Sequence, residues 1–279
     1  MDIQILITIV ICLAASLFAG IGTGFVGMSA AVAITPILMG FLGLPHFEAT
    51  AISLASDVLA SAGAAYMYHR HGNVDVKNGL ILLCTILVFT FLGSLVGYFM
   101  PNMAMGIGTV VAITLMGLKM LIFPRATVGR SKEGLTTRRK IIYSVTFGAL
   151  IGFVCGFVGA GGGMLLLLVL TVFLGYEMHK AVGTSVFVMT FSAFAGAAFH
   201  ILIEWIFQGG MNTNDLQLSG NFFNIMILCI IFTMAFSLIG SRIANHLDER
   251  KLNIISGSML LFIAVVVIFI QYVYPVIKG

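Results

Sequence analysis

The chain carries little charge. Asp, Glu, Lys and Arg make up only 9% of its 279 residues, whereas 60% are hydrophobic. A soluble globular protein has about 25% charged residues, so this composition excludes that class. The apolar residues form long runs, and a helix needs about 20 of them to cross a hydrocarbon core about 30 Å thick. We therefore predict an all-α polytopic membrane protein whose surroundings are the lipid bilayer.

Other absences narrow the function. All four cysteines lie in apolar runs, where thiols pack as small hydrophobic groups, so we expect no disulfide, no metal site and no cofactor. No G-x-x-x-x-G-K-[ST] motif is present, which excludes ATP-driven pumping by a nucleotide-binding loop of this chain. Histidines and carboxylates are scattered, so we predict that the protein is not an enzyme. The net charge of +4 comes from basic residues in loops, and no nucleic-acid partner is expected.

Ten apolar segments divide the chain. The second and seventh are too short to cross a membrane comfortably and are interpreted as half-helices or re-entrant pieces, which gives about 8 to 10 transmembrane segments. The segments cover residues 3 to 22, 28 to 43, 49 to 68, 77 to 100, 103 to 123, 140 to 160, 162 to 175, 179 to 206, 221 to 244 and 252 to 276.

Basic residues set the expected orientation. The most basic stretch lies between residues 124 and 140, and such stretches mark cytoplasmic loops. Residues 1–123 are predicted to form a first membrane repeat, 124–139 a cytoplasmic basic linker and 140–279 a second membrane repeat. With the linker inside, both termini are predicted to lie outside a cytoplasmic (inner) membrane.

An internal repeat supports the division into halves. A shift of 132 residues aligns GFVGMSAAVAITPILMGFLG (24–43) with GFVGAGGGMLLLLVLTVFLG (156–175) without a gap. The copies lie five segments apart, in the second and seventh segments, and because this offset is odd they should enter the membrane in opposite directions. Two inverted-topology repeats with Gly-interrupted or re-entrant helices are typical of secondary transporters.

Glycines interrupt both copies of the repeat. Each glycine weakens a helix by roughly 1 kcal/mol relative to alanine, so the clusters predict breaks in the helical backbone. Amide groups freed at such breaks can bind an anion, while close helix packing is the alternative explanation. The candidate substrate-binding residues at the breaks are Gly24, Gly27, Ser29, Gly159, Gly161, Gly162 and Gly163.

Hydroxyl groups follow each break. ATAIS at 49–53 aligns with AVGTS at 181–185. Their hydroxyls can donate to sulfonate or carboxylate oxygens, although in membrane helices they often bond back to a carbonyl of the preceding turn. The residues that these motifs add to the predicted substrate site are Thr50, Ser53, Thr184 and Ser185.

Three ionisable residues within the spans are candidates for coupling or gating. Asp57 lies roughly 12 Å into its span, and an intramembrane carboxylate indicates a proton carrier or a cation ligand. A structural pair with Lys119 or with nearby serines is the alternative. His200 and Glu204, one turn apart, indicate a gate or a proton entry point, or else a solvated interfacial cap beside Trp205.

The motif pair resembles a known family. The pattern G-x-x-G-x-G-G-G, an apolar run ending in Gly, and A-x-G-T-S is similar to the sulfite exporter TauE/SafE family of membrane permeases. The second copy, 156-GFVGAGGG-163 with 181-AVGTS-185, gives the more specific match. The resemblance implies transport of a small organic or sulfur-containing anion such as sulfite, sulfoacetate or another sulfonate.

Together these features predict a secondary transporter that moves a small anionic substrate by alternating access. H+ or Na+ is the expected coupling ion, and a homodimer is a possible assembly. Two alternatives stay open, an anion channel and a membrane-embedded transferase. Saturable uptake would separate the transporter from a channel, whose flux is linear in concentration.

Overall fold

The computed structural model describes residues 3–44, 46–98, 114–115, 117–118, 121–122, 137–158, 162–207 and 222–269. Within these residues the regular structure is helical, and no strand occurs. In lipid, backbone N–H and C=O groups must be bonded within the protein, and a helix bonds them within its own segment. The predicted all-α class is confirmed.

Nine helices lie in the described part of the chain, and their bounds follow the apolar segments closely. Short described pieces between residues 114 and 122 are also helical, and the rest of the predicted segment 103–123 lies outside the described residues. The helices are α1 (Ile3–Val26), α2 (Ala31–Leu42), α3 (His46–Arg70), α4 (Val76–Tyr98), α5 (Thr137–Val158), α6 (Gly163–Phe173), α7 (Met178–Phe207), α8 (Phe222–Asn245) and α9 (Glu249–Ile268).

Five of the described helices, namely α1, α4, α7, α8 and α9, are long and apolar enough to cross a membrane. Large apolar side chains cover much of the outer surface, including Val88, Leu150, Phe194 and Val265. A soluble monomer rarely exposes large continuous apolar patches, whereas lipid accommodates them. The chain is therefore a multi-pass membrane protein.

The short helices α2 and α6 occupy the second and seventh segments. Each ends in a turn of π-helix, at Leu38–Leu42 and Val169–Phe173. At 1.5 Å per residue neither helix exceeds roughly 20 Å, which is less than the hydrocarbon thickness of about 30 Å. Their length fits the interpretation as half-helices.

Close glycine contacts join α1 to α8. A Cβ atom added to Gly20 would lie 2.5 Å from the carbonyl oxygen of Thr233, and one added to Gly24 would lie 2.6 Å from the backbone nitrogen of Ser241. Small residues one turn apart let two helix backbones approach each other in this way. Because the residue numbers rise together along both helices, α1 and α8 run parallel.

The helices α5 and α4 pack by the same device. A Cβ atom added to Gly152 would lie 2.5 Å from the carbonyl oxygen of Ile86, and one added to Gly156 would lie 2.7 Å from the backbone nitrogen of Ser94. These two glycines follow Gly20 and Gly24 by 132 residues. The aligned glycines thus have equivalent packing roles, and α5 runs parallel to α4.

The helix α3 packs against α1, α7 and α8. Tyr68 near its end is fully buried and donates its hydroxyl hydrogen to the carbonyl oxygen of Gly24 at 2.9 Å. In the middle of α3, the carbonyl oxygen of Ala60 accepts a hydrogen bond from Ser237 of α8 at 2.7 Å. These bonds fix α3 beside the end of α1, where the first break occurs.

One end of the bundle, called here the basic end, contains the ends of α1, α3 and α8 and the starts of α4, α7 and α9. The N–H of Asp75 donates to Thr184 across it at 3.0 Å, and the N–H of Met178 donates to Glu249 at 3.1 Å. The exposed basic residues described at this end are Arg70, Lys77, Lys180, Arg242, Arg250 and Lys251.

The two halves have the same order of elements, a long helix, a half-helix ending in a π turn, and another long helix. Gly43 and Gly175, 132 residues apart, both follow the π turns with left-handed φ angles of 66° and 68°. The helix α5 begins at Thr137, within the predicted linker 124–139, and residues 124–136 lie outside the described part. The assignment of two inverted membrane repeats stays a prediction at this point.

Candidate functional site

The first break separates α1 from α2 and is formed at Gly27. Its N–H donates to the carbonyl oxygen of Thr23 at 3.0 Å, and the N–H of Met28 donates to that of Gly22 at 3.2 Å. Gly27 has a φ of 67°, a left-handed conformation that glycine adopts without the steric cost of a Cβ atom. The glycine thus ends α1, and the two amides that follow the helix are bonded back to it.

A buried carboxylate lies at the start of α2. Asp57 of α3 has no exposed surface; one carboxylate oxygen accepts the N–H of Ala30 at 3.0 Å and the other accepts the hydroxyl of Ser29 at 2.6 Å. The first N–H groups of a helix lack partners within the helix and carry a positive partial charge, which stabilises a carboxylate. Asp57 therefore caps α2 from a neighbouring helix.

The alternative partners considered for Asp57 have other positions. Ser56 donates to the carbonyl oxygen of Ile52 at 2.8 Å, and Ser61 donates to the backbone carbonyl of Asp57 itself at 2.6 Å. Lys119 lies outside the described residues. The carboxylate partner is instead Ser29, a residue that the sequence assigned to the substrate.

The first-half hydroxyls are largely bonded within the chain. Ser53 donates to the carbonyl oxygen of Thr50 at 2.8 Å and accepts from the hydroxyl of Thr35 at 2.9 Å. The hydroxyl of Ser53 therefore bonds back to a carbonyl of the preceding turn, which is the alternative to substrate binding given above. The hydroxyl oxygen of Thr50 is buried and has no hydrogen-bond partner among the described residues.

The second break precedes α6. Gly162 is left-handed, with a φ of 66°, and packs so closely on the sulfur of Cys155 that a Cβ atom would overlap it. Cys155 directly precedes the glycine motif in the sequence, and in the structure its sulfur contacts Gly162 of that motif. Gly159 and Gly161 lie outside the described residues, so their predicted role stays a prediction.

The two breaks meet inside the bundle. Gly163, the first residue of α6, contacts the carbonyl oxygen of Gly27 so closely that a Cβ atom would overlap it, and that atom would lie 2.7 Å from the sulfur of Met189. A Cβ atom on Gly27 would overlap the hydroxyl oxygen of Ser185, which donates to the carbonyl of Val182 at 2.8 Å. Gly27, Gly163 and Ser185 are named here the central contact.

Thr184 bonds towards the basic end. Its hydroxyl oxygen accepts the N–H of Asp75, whose carboxylate accepts the hydroxyl of Tyr176 and the side-chain amide of Asn78, both at 2.7 Å. Lys180 lies over the Tyr176 ring at 5.5 Å. Burial alone would raise the pKa of Asp75, but hydrogen bonds from Tyr176 and Asn78 and the charge of Lys180 hold that pKa below its usual value. These five residues are named the basic-end network.

The other predicted site residues either lie away from the central contact or have side chains that the structure does not describe. Gly24 packs on α8 and accepts a hydrogen bond from Tyr68, so the packing explanation accounts for its small size. His200 and Glu204 lie in α7, but their side chains lie outside those that the structure describes. Their role in gating stays a prediction.

The sequence reasoning missed the basic-end network and the buried Tyr68. The sequence D-x-x-N at 75–78 precedes an apolar run, as a helix start does, and could have indicated Asp75. Nothing in the sequence pairs Tyr68 with Gly24, because that contact depends on how α3 crosses α1. In the described residues, no group of three or more His, Cys, Asp or Glu is placed to hold a metal ion.

Comparison with known proteins identifies the family of the chain. The model of the sulfite exporter TauE/SafE family matches residues 12–267. The chain is 24% identical over 255 residues to the probable membrane transporter protein YdhB of Bacillus subtilis (strain 168). The aligned region covers 87% of this chain and 96% of that protein. It is 27% identical over 192 residues to a probable membrane transporter protein of Xylella fastidiosa (strain 9a5c), covering 67% and 72%. No solved structure matches the chain. Because the family model spans both breaks and almost all of the described bundle, the chain belongs to the sulfite exporter TauE/SafE family.

Proposed function

We propose that the protein is a secondary transporter that moves a small organic or sulfur-containing anion across the cytoplasmic membrane by alternating access. The observation behind the proposal is the central contact, where a helix break of each half meets the other inside the bundle. Secondary transporters bind substrate where the broken helices of two repeats meet. The family and the names of the relatives support a membrane transporter rather than an enzyme.

The donors near the central contact favour an anion. Among the side chains that the structure describes, no Lys or Arg is buried, so the donors there are backbone amides and hydroxyls, which suit oxyanions. We assign the substrate to the second break, at Gly159 to Gly163, with Ser185 as a hydroxyl donor. The family description names sulfite, and sulfite, sulfoacetate or another sulfonate is the proposed substrate.

The helix directions support inverted repeats. The helix α1 ends at the basic end, where Tyr68 contacts Gly24. The helix α4 starts at that end, and α5 runs parallel to it, away from the basic end, from the contact of Gly152 with Ile86 to that of Gly156 with Ser94. The repeat partners α1 and α5 therefore run in opposite directions, as inverted halves require.

The charge distribution supports an orientation. The exposed lysines and arginines at the basic end indicate the cytoplasmic side. Since α1 runs towards this end and α9 runs away from it, both chain termini are assigned to the outside. A homodimer stays a prediction.

The basic-end network suggests how one side is closed. Asp75 and Asn78 belong to the first half, and Tyr176 and Thr184 belong to the second. Opening a path from the central contact to the cytoplasm would separate these partners. We assign coupling by H+ or Na+ to Asp57, the one fully buried charged side chain among the described residues, and gating on the outer side to His200 and Glu204.

Counterflow in liposomes tests the function. Liposomes that contain the purified protein and are loaded with sulfite should take up labelled sulfite at a rate that saturates with concentration. Sulfite, sulfoacetate, taurine, thiosulfate, sulfate and simple carboxylates are then compared as competitors, and sulfite or a sulfonate should compete best. Linear flux without counterflow would indicate a channel. If no anion binds or competes, the proposed substrate class is wrong.

A further inference from the structure

The amides of the first break are engaged within the chain. The N–H groups of Gly27 and Met28 donate to carbonyls of α1, and that of Ala30 donates to Asp57. An anion that entered this break would have to displace a hydrogen bond already formed. The first break therefore has few donors left for a substrate.

The carboxylate of Asp57 is bound as a substrate oxyanion would be. It receives one hydrogen bond from a backbone amide and one from the hydroxyl of Ser29, and it is completely buried. The ion pair found among the described residues joins Lys251 to Asp248 at the basic end and does not involve Asp57. In the described part of the chain, the charge of Asp57 is therefore stabilised by the neutral donors Ser29 and Ala30. Charge-assisted hydrogen bonds of this kind are about twice as strong as neutral ones.

The second break lacks this carboxylate. The residue that follows Asp57 by 132 positions is Met189, and its sulfur lies beside Gly163 at the start of α6. A thioether carries no charge and accepts hydrogen bonds weakly. The repeated framework thus has a built-in anion in one half and a neutral side chain at the equivalent position in the other.

We propose that Asp57 is a tethered anion that occupies the first break, so that each chain binds one substrate anion and binds it at the start of α6, beside Gly163 and Met189. This inference rests on the proposed function. It narrows the predicted substrate site, because the sequence prediction also included the first-half residues Gly24, Gly27, Ser29, Thr50 and Ser53. It concerns the ionised carboxylate and is independent of which coupling ion the protein uses.

Rescue by formate tests the inference without a transport assay. Asp57→Ala removes the carboxylate and leaves a space of similar size, so it should lower the Tm of the detergent-purified protein by several degrees. Formate at about 0.1 M should bind in that space and restore at least half of the loss, while sodium chloride at the same concentration should not. Ile52→Ala is the control, because it leaves a cavity at a fully buried position of the same helix without removing a charge, and formate should not restore its Tm.

A reciprocal pair of variants covers the case in which Asp57→Ala does not fold. Met189→Asp should place a carboxylate beside Gly163 and raise the Kd for sulfite at least ~10-fold more than the similarly sized but uncharged Met189→Asn does. Equal effects of the two variants, or a loss of Tm in Asp57→Ala that formate leaves unchanged, would overturn the inference. If either of these results is found while the parent protein shows normal counterflow, the inference about Asp57 is wrong and the proposed function stands. If counterflow is absent but formate restores the Tm of Asp57→Ala, the proposed function is wrong and the role of Asp57 as a tethered anion stands.

Discussion

At the start of α2 the N–H of Ala30 donates to the carboxylate of Asp57, whereas at the start of α6 the corresponding neighbour is the uncharged Met189. A π turn ends each half-helix and a left-handed glycine lies in each break. The glycines are not equivalent, however, because Gly162 aligns with Ala30, whose φ is −60°. The comparison teaches that a repeated backbone can bind different groups in its two copies. The two breaks differ both in the side chain on the next long helix, Asp57 or Met189, and in the backbone conformation of the residue before the half-helix, Ala30 or Gly162.

The same asymmetry extends to the first residue of each half-helix. The helix α2 begins with Ala31, and α6 begins with Gly163, which is 132 residues later. The first position accommodates a Cβ atom, whereas at the second position that atom would overlap the carbonyl oxygen of Gly27. Contact between the halves thus depends on the second-half glycine.

The largest expected effect comes from filling this contact. Gly163→Val should force the two breaks apart, because its side chain would meet backbone rather than a flexible group, and anion binding should be lost. Gly196→Val in α7 is the control, since a Cβ atom there meets nothing within 4 Å among the described residues. Binding of sulfite or the best competitor is measured together with Tm. Parent-like binding by Gly163→Val would mean that the central contact has no role in the substrate site.

The next effect concerns the charge that distinguishes the breaks. Asp57→Asn keeps the size of the side chain but removes its charge, and if Asp57 carries the coupling ion, accumulation of the anion against a gradient should be abolished while exchange continues. Ser56→Ala is the control on the same helix, because Ser56 donates only to its own preceding turn. Uptake is measured with imposed proton and sodium gradients. Unchanged accumulation under both gradients would leave Asp57 with the structural role alone.

A third comparison uses the repeated serines. Ser185 lies in the central contact, whereas Ser53 is held between Thr35 and Thr50. Ser185→Ala should cost roughly 1–3 kcal/mol of binding free energy if its hydroxyl donates to the substrate, which is about one to two decades in Kd. Ser53→Ala should change Kd less than ~3-fold and mainly reduce stability. The opposite ranking would assign the substrate to the first half.

The sequence predicted the helices, the half-helices and the break positions because each follows from local composition. Apolar length determines the long helices, and glycine clusters determine where they stop. The partner of Asp57 was not predictable in the same way, because Ser29 and Ala30 reach it only through the packing of α2 on α3. The contact of Gly163 with Gly27 also joins residues far apart in the chain. Local pattern therefore located the break at Gly27 and the start of α6, whereas tertiary packing decided which groups meet there. That these groups bind substrate stays a prediction.

The smallest expected effect extends the comparison of the halves to the basic-end network, where Tyr176 of the second half donates to Asp75 of the first. The pKa of Asp75 is lowered in the folded protein, so its carboxylate stabilises the fold at neutral pH, and this contribution is lost as the pH falls from the ordinary Asp value of about 4 through the lowered value. Asp75→Asn should therefore lower Tm at pH 7 by roughly 1–3 °C, a small effect because solvent screens the partly exposed group. The difference from the parent should vanish in acid.

Asp248→Asn is the matched control at the same end, since that side chain is 79% exposed and should show little difference at either pH. A Tm difference for Asp75→Asn that persists unchanged below the lowered pKa would show that the loss arises from packing rather than from the carboxylate charge.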